Sequence, residues 1–165
     1  MNELCEPGAG VFLYGLRRLL LVLHAAGSIV LVGAATHHAL AMRHYLAGRF
    51  TRKNLEKTWA KVVAASYALT FALGALLYPT YRVHVRGLFL DEHAPSIAGL
   101  FDMKEVYASL TLPVALGLGL LAYTLRPEAT PPLARVYAVM SLLVCAVVWF
   151  NVVSGLLIVS VRGPG

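Results

Sequence analysis

The sequence has few charged residues and few cysteines, and both shortages narrow what the chain can be. Only 13% of its 165 residues are charged, whereas a soluble domain of this size has about 25%. The two cysteines, Cys5 and Cys145, stand far apart, so the chain has no CxxC motif for zinc or redox chemistry. Nucleotide-binding, serine-hydrolase and zinc-protease signatures are also missing from the sequence. These absences argue against a soluble catalytic domain.

Hydrophobic residues make up 59% of the chain, and they are concentrated in four blocks. A helix of about 20 residues crosses a hydrocarbon core of about 30 Å, and each block has roughly that length. The predicted membrane spans are 19–41, 62–80, 106–125 and 136–161. The sequence therefore predicts an all-α polytopic membrane protein, a single four-helix domain over residues 1–165.

The longest predicted loop lies between the second and third spans, from Tyr81 to Glu105. Pro79 is expected to end the second span, because proline lacks a backbone donor and clashes with the preceding turn. Asp102 and Glu105 have the spacing of a capping box, which predicts that the third helix starts there. Because long structureless loops are uncommon, we expect a short interfacial helix or ordered cap across the outer end of the bundle.

The distribution of positive charge predicts the orientation of the bundle. The net charge is +6, but the basic residues are concentrated beside the spans, which indicates membrane topology instead of nucleic-acid binding. Eight of the fourteen Lys and Arg residues fall in the first and third loops, and short basic loops stay in the cytoplasm. We expect an integral protein of a bacterial inner membrane with both termini outside.

The first span carries two histidines on one helical face. His24 and His38 are fourteen residues apart, a rise of about 21 Å that brings the side chain back to within about 40° of the same direction. Small residues such as Gly27, Ser28 and Ala35 lie along that face, which we expect to point inward. Neutral imidazole is a good axial ligand for haem iron. The pattern predicts cofactor contact, and haem-iron ligation in particular, at His24 and His38.

The run "LHAAGSIVLVGAATHHAL", followed by a basic loop and a second span with late Gly and Pro, resembles the first half of small haem-linked four-helix membrane proteins. These include the copper-resistance D group and the membrane-type protoporphyrinogen oxidases. In size and topology the chain also resembles the membrane-anchor subunits of quinone-linked respiratory complexes. The resemblance implies a haem b cofactor or a quinone. The sequence departs from it by lacking the tryptophan that often follows the histidine, and by lacking histidines in spans two to four.

A further candidate group lies just after the second span, where Tyr78, Arg82 and His84 could contact a quinone carbonyl or a haem propionate. All eight acidic residues fall outside the predicted spans, which argues against a proton pump acting alone. The leading hypothesis is a small membrane subunit of an electron-transfer complex, contributing to a haem b or quinone site alongside other membrane subunits. The alternatives are an accessory scaffold without a cofactor and a haem-linked enzyme of the protoporphyrinogen oxidase type.

Overall fold

The computed structural model describes residues 11–50 and 53–161, and almost all of them are helical. A short 3-10 turn, Tyr14–Leu16, leads into the first long helix. The α-helices are α1 (Arg17–Leu46), α2 (Lys53–Thr80), α3 (Asp91–His93), α4 (Pro95–Thr124) and α5 (Pro131–Val161), with a π-helical segment (Tyr81–Leu90) between α2 and α3. Four of these helical stretches are long and apolar enough to cross a membrane. The predicted all-α, four-span fold is confirmed.

The four long helices form a closed square. Helix α1 packs against α2 and α5, and α4 also packs against α2 and α5. Because the helices alternate in direction, each end of the bundle collects different parts of the chain. We call the end where α1 and α4 finish and α2 and α5 begin the His38 end. The opposite end, which contains the π-helical segment, is the His24 end.

Two predicted boundaries at the His24 end are wrong. Pro79 lies inside α2, and the chain continues past it as the π-helical segment. Wider π-helical turns change the hydrogen-bond register, so the missing proline donor does not end the helical path. Asp102 and Glu105 do not start a helix either, since α4 begins earlier with Pro95 at its first position. The only break in the helical path across the predicted loop is a single non-helical residue, Ala94.

Small residues let the helices approach closely. A Cβ atom at Gly119 of α4 would lie 2.6 Å from the Cβ of Ala64 on α2, and one at Gly27 of α1 would lie 2.9 Å from the Thr70 hydroxyl. The main apolar core lies between these helices and includes Leu31, Val63, Ala115, Leu118 and Val144. This core separates the polar groups of the two ends.

Candidate functional site

A cluster of five polar side chains is buried inside the bundle at the His38 end. It consists of His38, Tyr45, Glu56, Tyr137 and Ser141, and we call it the Glu56 cluster. No member exposes more than 3% of its surface. A carboxyl group is expensive to bury in a membrane protein unless it is paired and hydrogen-bonded, and such groups often mark functional sites.

Glu56 is the acceptor at the centre of this cluster. The Tyr45 hydroxyl donates to Oε2 over 3.0 Å, and the Tyr137 hydroxyl donates to Oε1 in a short hydrogen bond. His38 Nε2 lies 3.2 Å from the same Oε1 atom. The carboxylate therefore joins α1, α2 and α5.

Both ring nitrogens of His38 have polar partners. Nε2 faces Glu56 and also lies 3.3 Å from the Tyr137 hydroxyl, while Nδ1 lies 2.7 Å from the Ser141 hydroxyl. With Glu56 ionised, the carboxylate can only accept. The consistent arrangement then has a hydrogen on Nε2 and a Ser141 hydroxyl that donates to Nδ1. When His38 is doubly protonated, the Ser141 hydroxyl accepts from Nδ1 and the Nε2 proton can pass to the carboxylate across the same contact.

Helical periodicity explains why these residues meet. His38, Met42 and Tyr45 recur on the inward face of α1 at the i, i+4, i+7 spacing of one helical face, and all three are buried. Tyr137 and Ser141 have the same i, i+4 relation on α5 and are also buried.

A pocket of about 200 Å³ opens beside the cluster, and we call it the Glu56 pocket. Glu56 and Tyr45 belong to both the buried cluster and the pocket wall. The His37 ring stacks on the Trp59 indole, with ring centroids 5.0 Å apart and planes 13° from parallel. The remaining lining residues are Leu40, Ala41, Arg43, His44, Arg49 and Leu55. The pocket thus has mixed walls, with aromatic and aliphatic surface beside basic side chains and the Tyr45 and Glu56 oxygens.

His24 occupies a simpler site on the same helix. Its Nδ1 lies 3.0 Å from the Thr70 carbonyl oxygen of α2, which identifies Nδ1 as the donor. The ring packs against Gly74, where a Cβ atom would lie 3.1 Å from Cε1. His24 and Ser28 are partly buried, whereas Leu31, Ala35 and His38, farther along the same face of α1, are buried.

The structure separates the three other predicted site residues, Tyr78, Arg82 and His84. Arg82 donates to the Tyr78 hydroxyl over 2.9 Å, one helical turn earlier. His84 instead stacks on Tyr14, with ring centroids 4.7 Å apart. The side chain of His24 contacts Thr70 and Gly74, and none of Tyr78, Arg82 and His84 is among its hydrogen-bond or ring partners.

The two histidines differ in how well they fit an iron ligand. A ligating imidazole usually donates its second ring nitrogen to a carbonyl or carboxylate, and His24 has that arrangement with Thr70. Ligation by His38 would break a hydrogen bond to Glu56 or Ser141, because both nitrogens are in use. Within residues 11–50 and 53–161, no three His, Cys, Asp or Glu residues lie close enough to hold a metal ion.

Comparisons with protein-family models, with curated proteins and with solved structures gave no match for this chain. Its function therefore has to follow from the chemistry of its own side chains.

The central residue of the cluster is one that hydropathy does not identify. Glu56 lies in the basic stretch that the sequence assigns to a loop, whereas the structure places it in α2. Helical spacing could have identified it. The buried positions Ala60, Val63 and Tyr67 lie on one face of α2, and Glu56 is at the preceding position of the same i, i+4, i+7, i+11 pattern and is also buried.

Proposed function

We propose that this chain is a membrane subunit of an electron-transfer complex and that it binds a quinone head group in the Glu56 pocket. The observation that carries the proposal is the double role of Glu56 and Tyr45, which line the pocket and belong to the buried cluster. A ligand in the pocket would therefore contact groups that are connected to His38.

The chemistry of a quinone suits these surroundings. A quinone has a flat ring, two carbonyl oxygens that accept hydrogen bonds, and an apolar tail that stays in the lipid. Trp59 and His37 offer aromatic surface, and Leu40 and Leu55 offer apolar surface. A volume of about 200 Å³ leaves room for one substituted ring beside these walls.

Proton exchange is the part of the reaction that we assign to this chain. Each quinone carbonyl that becomes a hydroxyl takes up a proton, which Glu56 would supply from its protonated form at the pocket wall. A doubly protonated His38 would then pass its Nε2 proton to the Glu56 carboxylate and become neutral, which restores the proton on Glu56. The electrons would come from a haem or iron–sulfur centre of a partner subunit.

The chain's two tryptophans allow a direct binding test. Trp59 lines the pocket, whereas Trp149 lies on α5 with its indole donating to Thr36. In nanodiscs, the Trp149→Phe protein should show saturable fluorescence quenching by a short-chain quinone. The Trp59→Phe protein is the matched control and should show only the linear quenching of a lipid-dissolved quencher. Equal, unsaturable quenching of both proteins would refute the proposal.

The scaffold hypothesis remains the second candidate, because the same hydrogen bonds join three helices. The Tyr45→Phe variant separates the two roles in the Trp149→Phe background. Loss of this hydroxyl donor from the pocket wall should weaken quinone binding by about tenfold, roughly the effect of one hydrogen bond. A purely structural cluster predicts no saturable binding in either protein.

A further inference from the structure

The rim of the Glu56 pocket has basic side chains without carboxylate partners. Arg43, His44 and Arg49 are exposed and line the opening. Arg43 donates from Nε to the Leu40 carbonyl over 3.3 Å, a contact that leaves its charge unpaired. Glu56, the carboxylate in the pocket wall, is engaged by His38 and the two tyrosines. The rim therefore presents positive charge with no compensating group among the described residues.

The backbone at the end of α1 brings Arg49 back toward this rim. Gly48 has a φ of 71°, in the left-handed region that favours glycine. The Gly48 amide donates to the Tyr45 carbonyl over 3.0 Å, and the Arg49 amide donates to the His44 carbonyl over 2.8 Å. These bonds form a Schellman-type cap. The turn thus fixes the backbone of Arg49 beside the last turn of α1, which carries Arg43 and His44.

We propose that this rim binds the phosphate of an anionic phospholipid in the leaflet at the His38 end. Guanidinium groups match the geometry of phosphate oxygens, and two of them at one opening provide a paired set of donors. Leu40, Leu46 and Leu55 are exposed beside the rim, at 47%, 44% and 51% of their surface. Unpaired cations above exposed leucines suit an amphiphile better than a free phosphate ion, because the leucines can contact its acyl chains.

The wider charge distribution agrees with an anionic leaflet at this end. Lys57, Lys61, Arg126 and Arg135 lie at the same end of the bundle. Basic residues near a membrane surface attract anionic lipids through charge alone. The rim differs from these scattered basic residues because its cations line the opening of one pocket. This inference does not require quinone binding, and it is tested on quinone-free protein because the lipid would share Leu40 and Leu55 with a bound quinone.

Native mass spectrometry of the full chain in detergent provides the test. The protein is offered phosphatidylglycerol, phosphatidylcholine or inorganic phosphate, and the bound species are counted. We expect one retained phosphatidylglycerol, with at least tenfold weaker binding of phosphatidylcholine and no retention of inorganic phosphate. The Arg43→Gln/Arg49→Gln protein should lose at least tenfold in phosphatidylglycerol affinity.

The matched control is Arg126→Gln/Arg135→Gln, which removes the same charge at the same end but away from the pocket. It should bind phosphatidylglycerol like the unaltered protein, and thermal unfolding should show that both variants are folded. Equal losses in the two variants would overturn the proposal in favour of diffuse attraction. Equal binding of the two lipids, or retention of inorganic phosphate, would overturn it as well.

Discussion

The two ends of the bundle use histidines from one face of α1 in different ways. At the His38 end, the imidazole is fully buried between a carboxylate, a tyrosine and a serine. At the His24 end, the imidazole is partly exposed and faces one backbone carbonyl. Charges at the His24 end pair near the surface, where Arg86 bonds to Asp91 and Asp102. At the His38 end the carboxylate is buried and exposed cations surround it.

This difference shows that the neighbouring helices determine what each histidine can do. The partners of His38 come from α2 and α5, which supply groups that exchange protons. The partner of His24 is a carbonyl that can only accept. Repetition of a residue along a helix therefore does not imply repetition of its chemistry.

The largest expected loss of stability follows from removing Glu56, the central acceptor of the Glu56 cluster. Glu56→Ala leaves His38 and two tyrosine hydroxyls buried without their acceptor, and breaking such a pair costs about 3–5 kcal/mol. The free energy of unfolding, measured by denaturation in mixed micelles, should fall by that amount. Glu56→Gln is the control, because its amide keeps one acceptor oxygen, and it should cost about 1–3 kcal/mol.

If Glu56→Ala were as stable as the unaltered protein, the carboxylate would not hold the three helices together. The contrast between the two ends would then disappear.

The second prediction compares the histidines directly. His38→Ala should lower the free energy of unfolding by about 2–4 kcal/mol, because it empties a buried site, leaves Ser141 without its partner and removes one of the three donors to Glu56. His24→Ala should cost only about 1 kcal/mol, since its ring is partly exposed and makes one hydrogen bond. The same micelle titration measures both. A larger loss for His24→Ala would point to a hidden partner at that end.

Hydropathy was sufficient to predict the four spans, because a helix must keep about 20 apolar residues in the hydrocarbon. It could not locate the helix ends. Pro79 lies within a helical path, and Asp102 pairs with Arg86 instead of capping a helix. Local signals predict where a helix can stop, whereas contacts with neighbouring elements determine whether it does.

The candidate site was harder to predict than the fold. Its residues come from three helices and from distant positions, so no local motif contains them. His38 was identified from its spacing on α1. Tyr137 was indistinguishable from an interfacial tyrosine, and Glu56 from a charge in a basic loop. Helical phase identifies the inward face of each segment, but only the packed bundle shows which residues meet.

The smallest effect is expected for the surface pairs of the His24 end. Arg86 bonds to Asp91 and Asp102, whose side chains are 50% and 44% exposed. Exposed ion pairs contribute about 0–1 kcal/mol, so Arg86→Gln should leave the global free energy of unfolding almost unchanged. The pairs instead connect the π-helical segment to α3 and α4. Amide hydrogen exchange should therefore accelerate within Tyr81–Leu90 and stay constant around Glu56. If Arg86→Gln lowered the global free energy of unfolding as much as Glu56→Ala, the exposed ion pairs would stabilise the bundle as strongly as the buried carboxylate does, and the contrast between the two ends would be wrong.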